Sequence, residues 1–299
     1  MSGLTKALSA GVDFLVAGQD PDGAWRDFDL TPGKASSWTT AYIAAALERA
    51  AGGGDDVGLA LADATRFLRA NRTPRGGWAY NQRCAADADS TALALLFLAA
   101  KDPPPSLSDV AALARFQGSG GGFGTYGGTA ADNAWRDSHA EVTVTALRAL
   151  SLFLPADHAI LTSTRLWLDR RPTAPDLVTY WWTTPAYLAL ELTRHGVPFA
   201  DVDDPDTGAF ATALRLERHV LLASDGERLD ESPAILMAMK LADGSWPSTP
   251  ILRVPNPAAA PGSEAARADR PNADQHRLFT TATAVSALAA AVKNARDRE

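Results

Sequence analysis

Apolar residues recur at helical spacing along most of the chain, and strand-like alternation is nearly absent. The pattern predicts helices over 4–18, 36–50, 58–70, 89–101, 107–117, 140–154, 158–170, 178–195, 208–222, 231–241 and 277–294. Between them lie joints rich in Gly, Pro and Asp: DPDGAW from Asp20, TPRGGWAY from Thr73, GSGGGFGTYGG from Gly118 and DGSWPSTP from Asp243. Such clusters punctuate periodic segments. Residues 254–274, rich in Pro, Ala and Arg, read as a long exposed loop.

Five of the predicted helices carry versions of one segment: WTTAYIAAAL from Trp38, DSTALALLFL from Asp89, TVTALRAL from Thr143, WTTPAYLAL from Trp182 and FTTATAVSAL from Phe279. The first four recur about every 40 to 55 residues, which marks a repeat of helix pairs. About five and a half such pairs favour a closed ring over a long solenoid. The expected fold is all-α: a single α/α toroid, two concentric layers of helices in five or six pairs, with Gly/Trp-rich connections. One domain is expected over 1–299, with the five related segments on the inner layer. Trp38, Asp89, Thr143, Trp182 and Phe279 then share one register position and face one space, lined by aromatic rings and a single carboxyl group.

Composition narrows the chemistry. A net charge of -7 without a basic cluster argues against nucleic acid as a partner. A single cysteine, Cys84, excludes a disulfide scaffold and fits a reducing compartment, so a cytoplasmic protein is expected. No apolar stretch is long enough to span a membrane. The N-terminus, MSGLTKALSAGVDFLVAG, reads as an amphipathic helix and not as a signal peptide.

The joints carry a resemblance. Gln19-Asp20-Pro21-Asp22-Gly23-Ala24-Trp25 is similar to the Q-x-x-x-G-x-W motif of the squalene cyclase and prenyltransferase repeats, and Gly76-Gly77-Trp78, Gly121-Gly122-Phe123 and Gly244-Ser245-Trp246 resemble shorter copies. Physically, Gly permits the turn, the ring packs between helices, and Gln bonds a helix end. Asp87-Ala88-Asp89-Ser90-Thr91-Ala92 resembles the D-x-D-D-T-A signature of class II terpene cyclases, in which the middle Asp protonates an alkene or epoxide. The resemblance implies Asp89 as that acid and Asp87 as its supporting carboxylate, with Ser90 where the family has a third Asp. Glu141-Val142-Thr143-Val144-Thr145 resembles the D-V-T-x-H segment of hopene-forming cyclases, which puts Glu141 at the acidic position and Thr145 at the histidine. His139 lies close by, out of register. Class II enzymes of the family use two toroids, and this chain has room for one.

Protonating a double bond needs an acid that keeps its proton near neutral pH. Burial and a second carboxylate both raise a carboxyl pKa, and Asp87 beside Asp89 supplies the second condition. The plain structural reading is that Asp-Ser-Thr before an apolar run is a helix N-cap. Asp201-Val202-Asp203-Asp204 matches D-x-D-D literally but falls outside the repeat register, and reads as a solvated loop and helix start, with a Mg²⁺ or diphosphate site as the minor reading. Aromatic faces stabilise carbocations. Trp38, Trp182 and Phe279 share the register of Asp89, while Tyr80, Trp78, Phe123, Tyr126, Trp135 and Trp181 lie in the joints, so these are the candidate substrate-binding residues. For any one of them ordinary packing is the competing reading.

Zinc chemistry is discounted, because Cys84 has no nearby His and no metal-ligand pattern is present. No Gly-x-Ser-x-Gly elbow or phosphate-binding loop occurs. Paired carboxylates acting on a sugar bond would need an open polar cleft, and the register here is apolar and aromatic. The expected function is a class II-type isoprenoid cyclase of the squalene-hopene kind, an isomerase. In it Asp89 donates the proton, Asp87 orients it, and Glu141, Thr145 and Ser90 tune the surroundings. No cofactor is required, although a diphosphate-bearing substrate would bring Mg²⁺. The alternative is a non-catalytic isoprenoid-binding or interaction protein that kept the toroid. A lone toroid leaves one mouth open, and its missing wall is expected from the chain's own loops, from a second copy or from a partner protein.

Overall fold

The computed structural model describes residues 2–50, 54–127, 133–170, 179–197, 204–223, 232–258 and 271–297. Among them are eleven α-helices: α1 (Ser2–Ala17), α2 (Ser37–Ala50), α3 (Asp55–Ala70), α4 (Ala88–Leu98), α5 (Leu107–Ala114), α6 (Ala140–Ser151), α7 (Ala159–Asp169), α8 (Ala186–Arg194), α9 (Ala209–Leu222), α10 (Ser232–Ala238) and α11 (Leu278–Arg296). Burial patterns sort these helices into two layers. In α3 the buried residues Val57, Ala60, Ala64, Phe67 and Leu68 form one stripe, the signature of a helix with an outer face. In α4, Ala88, Ser90 to Leu95, Phe97 and Leu98 are buried on almost every side, as a helix enclosed by neighbours must be.

The enclosed helices close a ring. Helix α2 packs on α4, α4 on α6, α6 on α8, α8 on α9, α9 on α11, and α11 back on α2. Helices α1, α3, α5, α7 and α10 pack outside them. The fold is an α/α toroid with six inner helices. Five carry the related segments or follow them directly, and α9 is the sixth. No Gly/Trp joint precedes α9, so the repeat left it unmarked.

The three joints that carry tryptophan share one bond. The ring N–H of Trp25, Trp78 and Trp246 donates to the carbonyl ten residues earlier, at Leu15, Leu68 and Leu236, at 2.7, 2.6 and 2.7 Å. Gln19 Nε2 donates to Gly23 O and across to Ala60 O, both at 2.9 Å, tying the joint to the next outer helix. At Gly23, with φ 90°, a Cβ would stand 2.4 Å from Asp63 O, so only glycine fits there.

The joints also fix the register of the inner helices. The backbone N–H of Trp25, Trp78, Phe123 and Trp246 donates to Oγ1 of Thr40, Thr91, Thr143 and Thr281, at 2.9, 3.0, 2.8 and 3.1 Å. Thr143 is thus the partner of Thr40 and Thr91. The residue equivalent to Trp38, Asp89 and Phe279 is Glu141, two positions earlier. The register set therefore holds two acids and not one.

The predicted helix at 178–195 begins only at Ala186. Before it, Thr183 N–H donates to Ile251 O, and Arg253 N–H donates to Trp181 O, in strand-like pairing. Trp182 consequently stands on a loop. Two short ribbons, β1 (Asp27–Leu30) with β2 (Gly33–Ala35) and β3 (Pro250–Leu252) with β4 (Asn272–Ala273), were too short to register as alternation. More than half of the predicted loop at 254–274, residues 259–270, lies outside the described residues.

The inner helices point the same way. Aromatic residues at or before their starts meet one another: Trp38 is 6.0 Å from Trp182 and 4.9 Å from Phe279, and Phe210 is 6.0 Å from Phe279. Residues farther along these helices meet away from that end. There Arg148 pairs with Glu191, Arg194 bridges Glu191 and Glu217, Ser286 Oγ donates to Glu217 at 2.8 Å, and Arg49 Nε donates to Ser286 Oγ at 2.9 Å. This ionic floor closes one end of the barrel. Among the described residues no helix is long and apolar enough to cross a membrane.

Candidate active site

The start of α4 gives its two acids different jobs. Asp87 is the N-cap, in extended conformation. Its Oδ1 accepts the Ser90 N–H at 2.7 Å, and its Oδ2 accepts the Ser90 hydroxyl and the Tyr80 N–H, both at 2.8 Å. Burial raises this carboxyl and the three donors pull it down, leaving it at about 6, so near neutral pH it is ionised. The capping reading of the sequence is met by Asp87, and Asp89 is left out of it.

Asp89, the second helical residue, has one side-chain partner among the described residues. The Thr125 hydroxyl donates to its Oδ2 at 2.9 Å. Burial, then the charge of Asp87, push Asp89 up to about 8; the Thr125 bond lowers it and the Glu141 charge raises it. Two neighbouring carboxyls in one buried site cannot both ionise cheaply. The better hydrogen-bonded one, Asp87, takes the charge, and Asp89 keeps the proton.

Thr125 escaped the sequence reading. Its backbone carbonyl accepts the Ala88 N–H at 2.9 Å, which fixes the hydroxyl against α4. A signal existed. Thr125 stands two residues after the joint aromatic Phe123, as Asp27 does after Trp25. Asp27 likewise reaches the start of the preceding inner helix, accepting the Leu278 N–H at 3.0 Å.

A cavity of about 810 Å³ lies at this end of the ring. Asp87, Asp89, Ser90 and Leu93 form its α4 wall, and Thr145 also borders it. Trp38, Trp182 and Tyr187 line it, with Trp182 stacked on Tyr187 at 4.2 Å. Tyr80, Tyr126, Trp135 and Trp181 line it from the joints and loops. The β1–β2 tip, Asp29 to Pro32, Cys84, Thr125, and Leu252, Val254 and Asn272 around the second ribbon complete the lining. Trp135 is held there by its ring N–H, which donates to Pro255 O at 2.7 Å.

Several expected residues stand elsewhere. Trp78 and Phe123 are wholly enclosed in their joints and do not line the cavity, because their rings pack between helix layers. Phe279 lies behind the lining, stacked on Tyr42 at 3.9 Å and on Trp38 at 4.9 Å. Glu141 does not reach the cavity either. Its Oε1 accepts the backbone N–H groups of Tyr180 and Trp181 at 2.6 and 2.9 Å, so it anchors the loop that carries Trp181 and Trp182. The Thr145 hydroxyl donates back to Glu141 O at 2.8 Å, one helical turn earlier, and does not hold Asp89. His139 caps α6, stacks on Tyr180 at 3.9 Å and does not line the cavity. Of the literal D-x-D-D stretch, residues 201–203 lie outside the described residues. Asp204 is paired with Arg215 at 3.2 Å and accepts the Thr184 hydroxyl, so its carboxylate is engaged and not solvated.

This chain is similar in fold to the type II terpene cyclase MstE from Scytonema. The two share 23% identity over 98% of this chain and 100% of that one, with a TM-score of 0.79. A protein from Actinoplanes is equally similar, at 24% identity over 96% of this chain and 99% of its own, with a TM-score of 0.79. An unsaturated glucuronyl hydrolase specific for heparin matches at 13% identity over 99% of this chain and 98% of its own, with a TM-score of 0.59. No family model matches the sequence, and neither does any curated protein. The toroid is thus a scaffold shared by different chemistries, and the residues at the cavity must carry the functional argument.

Proposed function

We propose that the chain is a class II-type terpene cyclase in which one toroidal domain carries the reaction. The observation that carries the reading is the carboxyl pair. An acid held protonated by an ionised neighbour faces a cavity walled by aromatic rings. Asp89 protonates an alkene or epoxide of an isoprenoid chain, Asp87 keeps the proton on Asp89, and Thr125 aims it. The faces of Trp38, Trp182 and Tyr187 meet the cation as it moves along the chain. Ser90 acts through Asp87, to which its hydroxyl donates. Glu141 acts through the aromatic loop. The product is an isomer of the substrate and no cofactor takes part; Mg²⁺ enters only with a diphosphate-bearing substrate.

The likeness to MstE supports an isoprenoid substrate. Structures of that enzyme hold geranylgeranyl dihydroxybenzoate as substrate and merosterolic acid A as product. The test is to incubate the pure protein and Asp89→Asn with prenyl diphosphates, squalene and prenylated aromatics, and to analyse products by mass spectrometry. Cyclised product from the parent and none from Asp89→Asn is expected. Full turnover by Asp89→Asn would eliminate the mechanism. Equal binding of isoprenoids by both, with no conversion by either, would make the protein a non-catalytic isoprenoid binder.

A further inference from the structure

We propose that Asp29 is the base that ends the reaction: it takes the last proton from the cyclised cation at the cavity mouth, so that the product leaves as an alkene and not as an alcohol. The proposal rests on the cyclase reading above and adds to it the residue that sets the kind of product released.

The first argument is position. Among the described residues the carboxyl groups that border the cavity are Asp29, Asp87 and Asp89, and no histidine borders it. Asp89 gives the first proton, and Asp87 stands beside it at the start of α4, where the first cation is born. On α4 the lining ends at Leu93, about one helical turn below Asp89, so little of a chain fits beneath the acid. Most of the other lining residues belong to the joints, loops and ribbons. The β1–β2 ribbon comes before the start of α2, and Asp29 is exposed on it while bordering the cavity, which puts it at the mouth. A chain whose tail reaches Asp89 has its head at the mouth. Cyclisation then runs from tail to head, and the last cation forms on the side of Asp29.

The second argument is the local backbone. Residues two apart on a regular strand point to the same side. Asp27 and Asp29 do not, because the ladder shifts register between them and Phe28 is held at φ 53°, a left-handed conformation rare for a bulky residue. Asp27 is wholly buried and accepts the N–H groups of His276 and Leu278, both at 3.0 Å. Asp29 is turned to the cavity, and its carboxylate makes no hydrogen bond or ion pair among the described residues. Lys34, opposite it in the ladder, reaches His276 Nε2 at 2.9 Å instead. Bulges re-aim side chains, and strained backbone persists only where its surroundings impose it. Here they do. The Tyr80 hydroxyl donates to Phe28 O, Asn81 Nδ2 donates to Pro32 O and Lys34 O at 3.0 and 3.1 Å, and Gln275 Oε1 accepts the Asp29 N–H at 3.0 Å. The ribbon is fixed on both flanks while the carboxylate stays open to accept.

The step balances as follows. A C–H bond next to the cationic carbon breaks, and its electron pair becomes the second bond of a new carbon–carbon double bond. The proton goes to a carboxylate oxygen of Asp29, which is exposed and passes it on to water. Asp89, left as carboxylate, recovers a proton from water after the product leaves. One proton enters at Asp89 and one departs at Asp29, so the product is an isomer of the substrate. Capture of the same cation by water forms a carbon–oxygen bond, releases a proton and gives an alcohol heavier by one water.

The experiment gives the parent, Asp29→Asn and Asp29→Glu the prenyl diphosphate, squalene or prenylated aromatic that the parent converts, and reads the ratio of alkene to alcohol by mass spectrometry. The parent is expected to release alkene. In Asp29→Asn the ratio should fall by at least about 10²-fold, the lower bound for a positioned base. Asp29→Glu keeps a carboxylate and should bring the alkene back, which a merely structural role for Asp29 would not require. An unchanged ratio in Asp29→Asn, or alcohol as the main product of the parent, overturns the assignment and leaves Asp89 as the initiating acid. A folded Asp29→Asn that consumes no substrate overturns it too, because a terminating base is not needed to start the reaction. A parent that converts no substrate overturns the cyclase reading and the assignment together.

Discussion

A carboxyl group that must deliver a proton near neutral pH has to be kept from losing it to water first. At α4 the division of labour does this. Asp87 collects three donors and the charge, and Asp89 collects almost none. Turnover is accordingly expected to fall as pH rises through about 8, where Asp89 ionises, and a pH profile of kcat checks this. Asp87→Asn keeps a cap but removes the neighbouring charge, so Asp89 ionises more readily; the expected loss is about 10²–10⁴ in rate at neutral pH. Stability carries the same sign. The folded pKa of Asp89 lies above the ordinary 3.8, so its contribution is full below about pH 4 and declines as pH rises toward about 8. Asp89→Asn lacks this decline. Thermal melts should show the variant gaining on the parent as pH is raised across that window, and a constant gap would refute the burial argument. At this scale the acids and most of the aromatic lining were legible, because the motif and the joints mark them in the chain. Thr125 and the anchoring role of Glu141 were not. Their partners lie 36 and 39 residues away, and nothing local announces such a bond.

Helices and joints explain why those side chains stand still. Trp78 is almost fully enclosed and ties the last turn of α3 to the start of the next joint by its ring N–H. Trp78→Ala removes both and is expected to cost about 3–5 kcal/mol in denaturant unfolding. Glu141→Ala would leave the N–H groups of Tyr180 and Trp181 unpaired beneath the aromatic loop. An activity loss larger than that of Glu141→Gln, which retains an acceptor, is the expected reading of that pair of variants. Helix positions followed from apolar spacing almost throughout. The exception, 178–195, shows why spacing failed. Tyr180, Trp181 and Trp182 continue the apolar period, but their backbone is bonded to Glu141 and to the Ile251–Arg253 strand, and Pro185 sets the true start of α8. Backbone partners from distant segments overrode a local preference.

At the scale of the whole molecule, the ring stays closed because both ends are tied. The floor joins α2, α6, α8, α9 and α11 through Arg49, Arg148, Glu191, Arg194, Glu217 and Ser286. Paired to Arg148 and Arg194, Glu191 is held well below the usual carboxylate range, at about 2. Glu191→Gln would strand two guanidinium groups, and a loss of about 3–5 kcal/mol is expected in equilibrium unfolding. A toroid was readable from the repeat, but its sixth inner helix was not, since neither a Gly/aromatic joint nor a copy of the related segment marks α9.

The common direction of the inner helices has an electrical consequence. Each α-helix carries roughly half a positive charge at its N-terminus, and six such poles converge on the cavity end. Left alone, that field would oppose any cation formed there. Carboxylates sit where it emerges: Asp87 at the start of α4, Glu141 in the first turn of α6, and Asp27 and Asp274 on the first N–H groups of α11. In the proposed reaction, a proton passed from Asp89 to a substrate would add one more negative charge to that collar at the moment a positive one is born beside it. The spent acid is then the counter-ion of its own product.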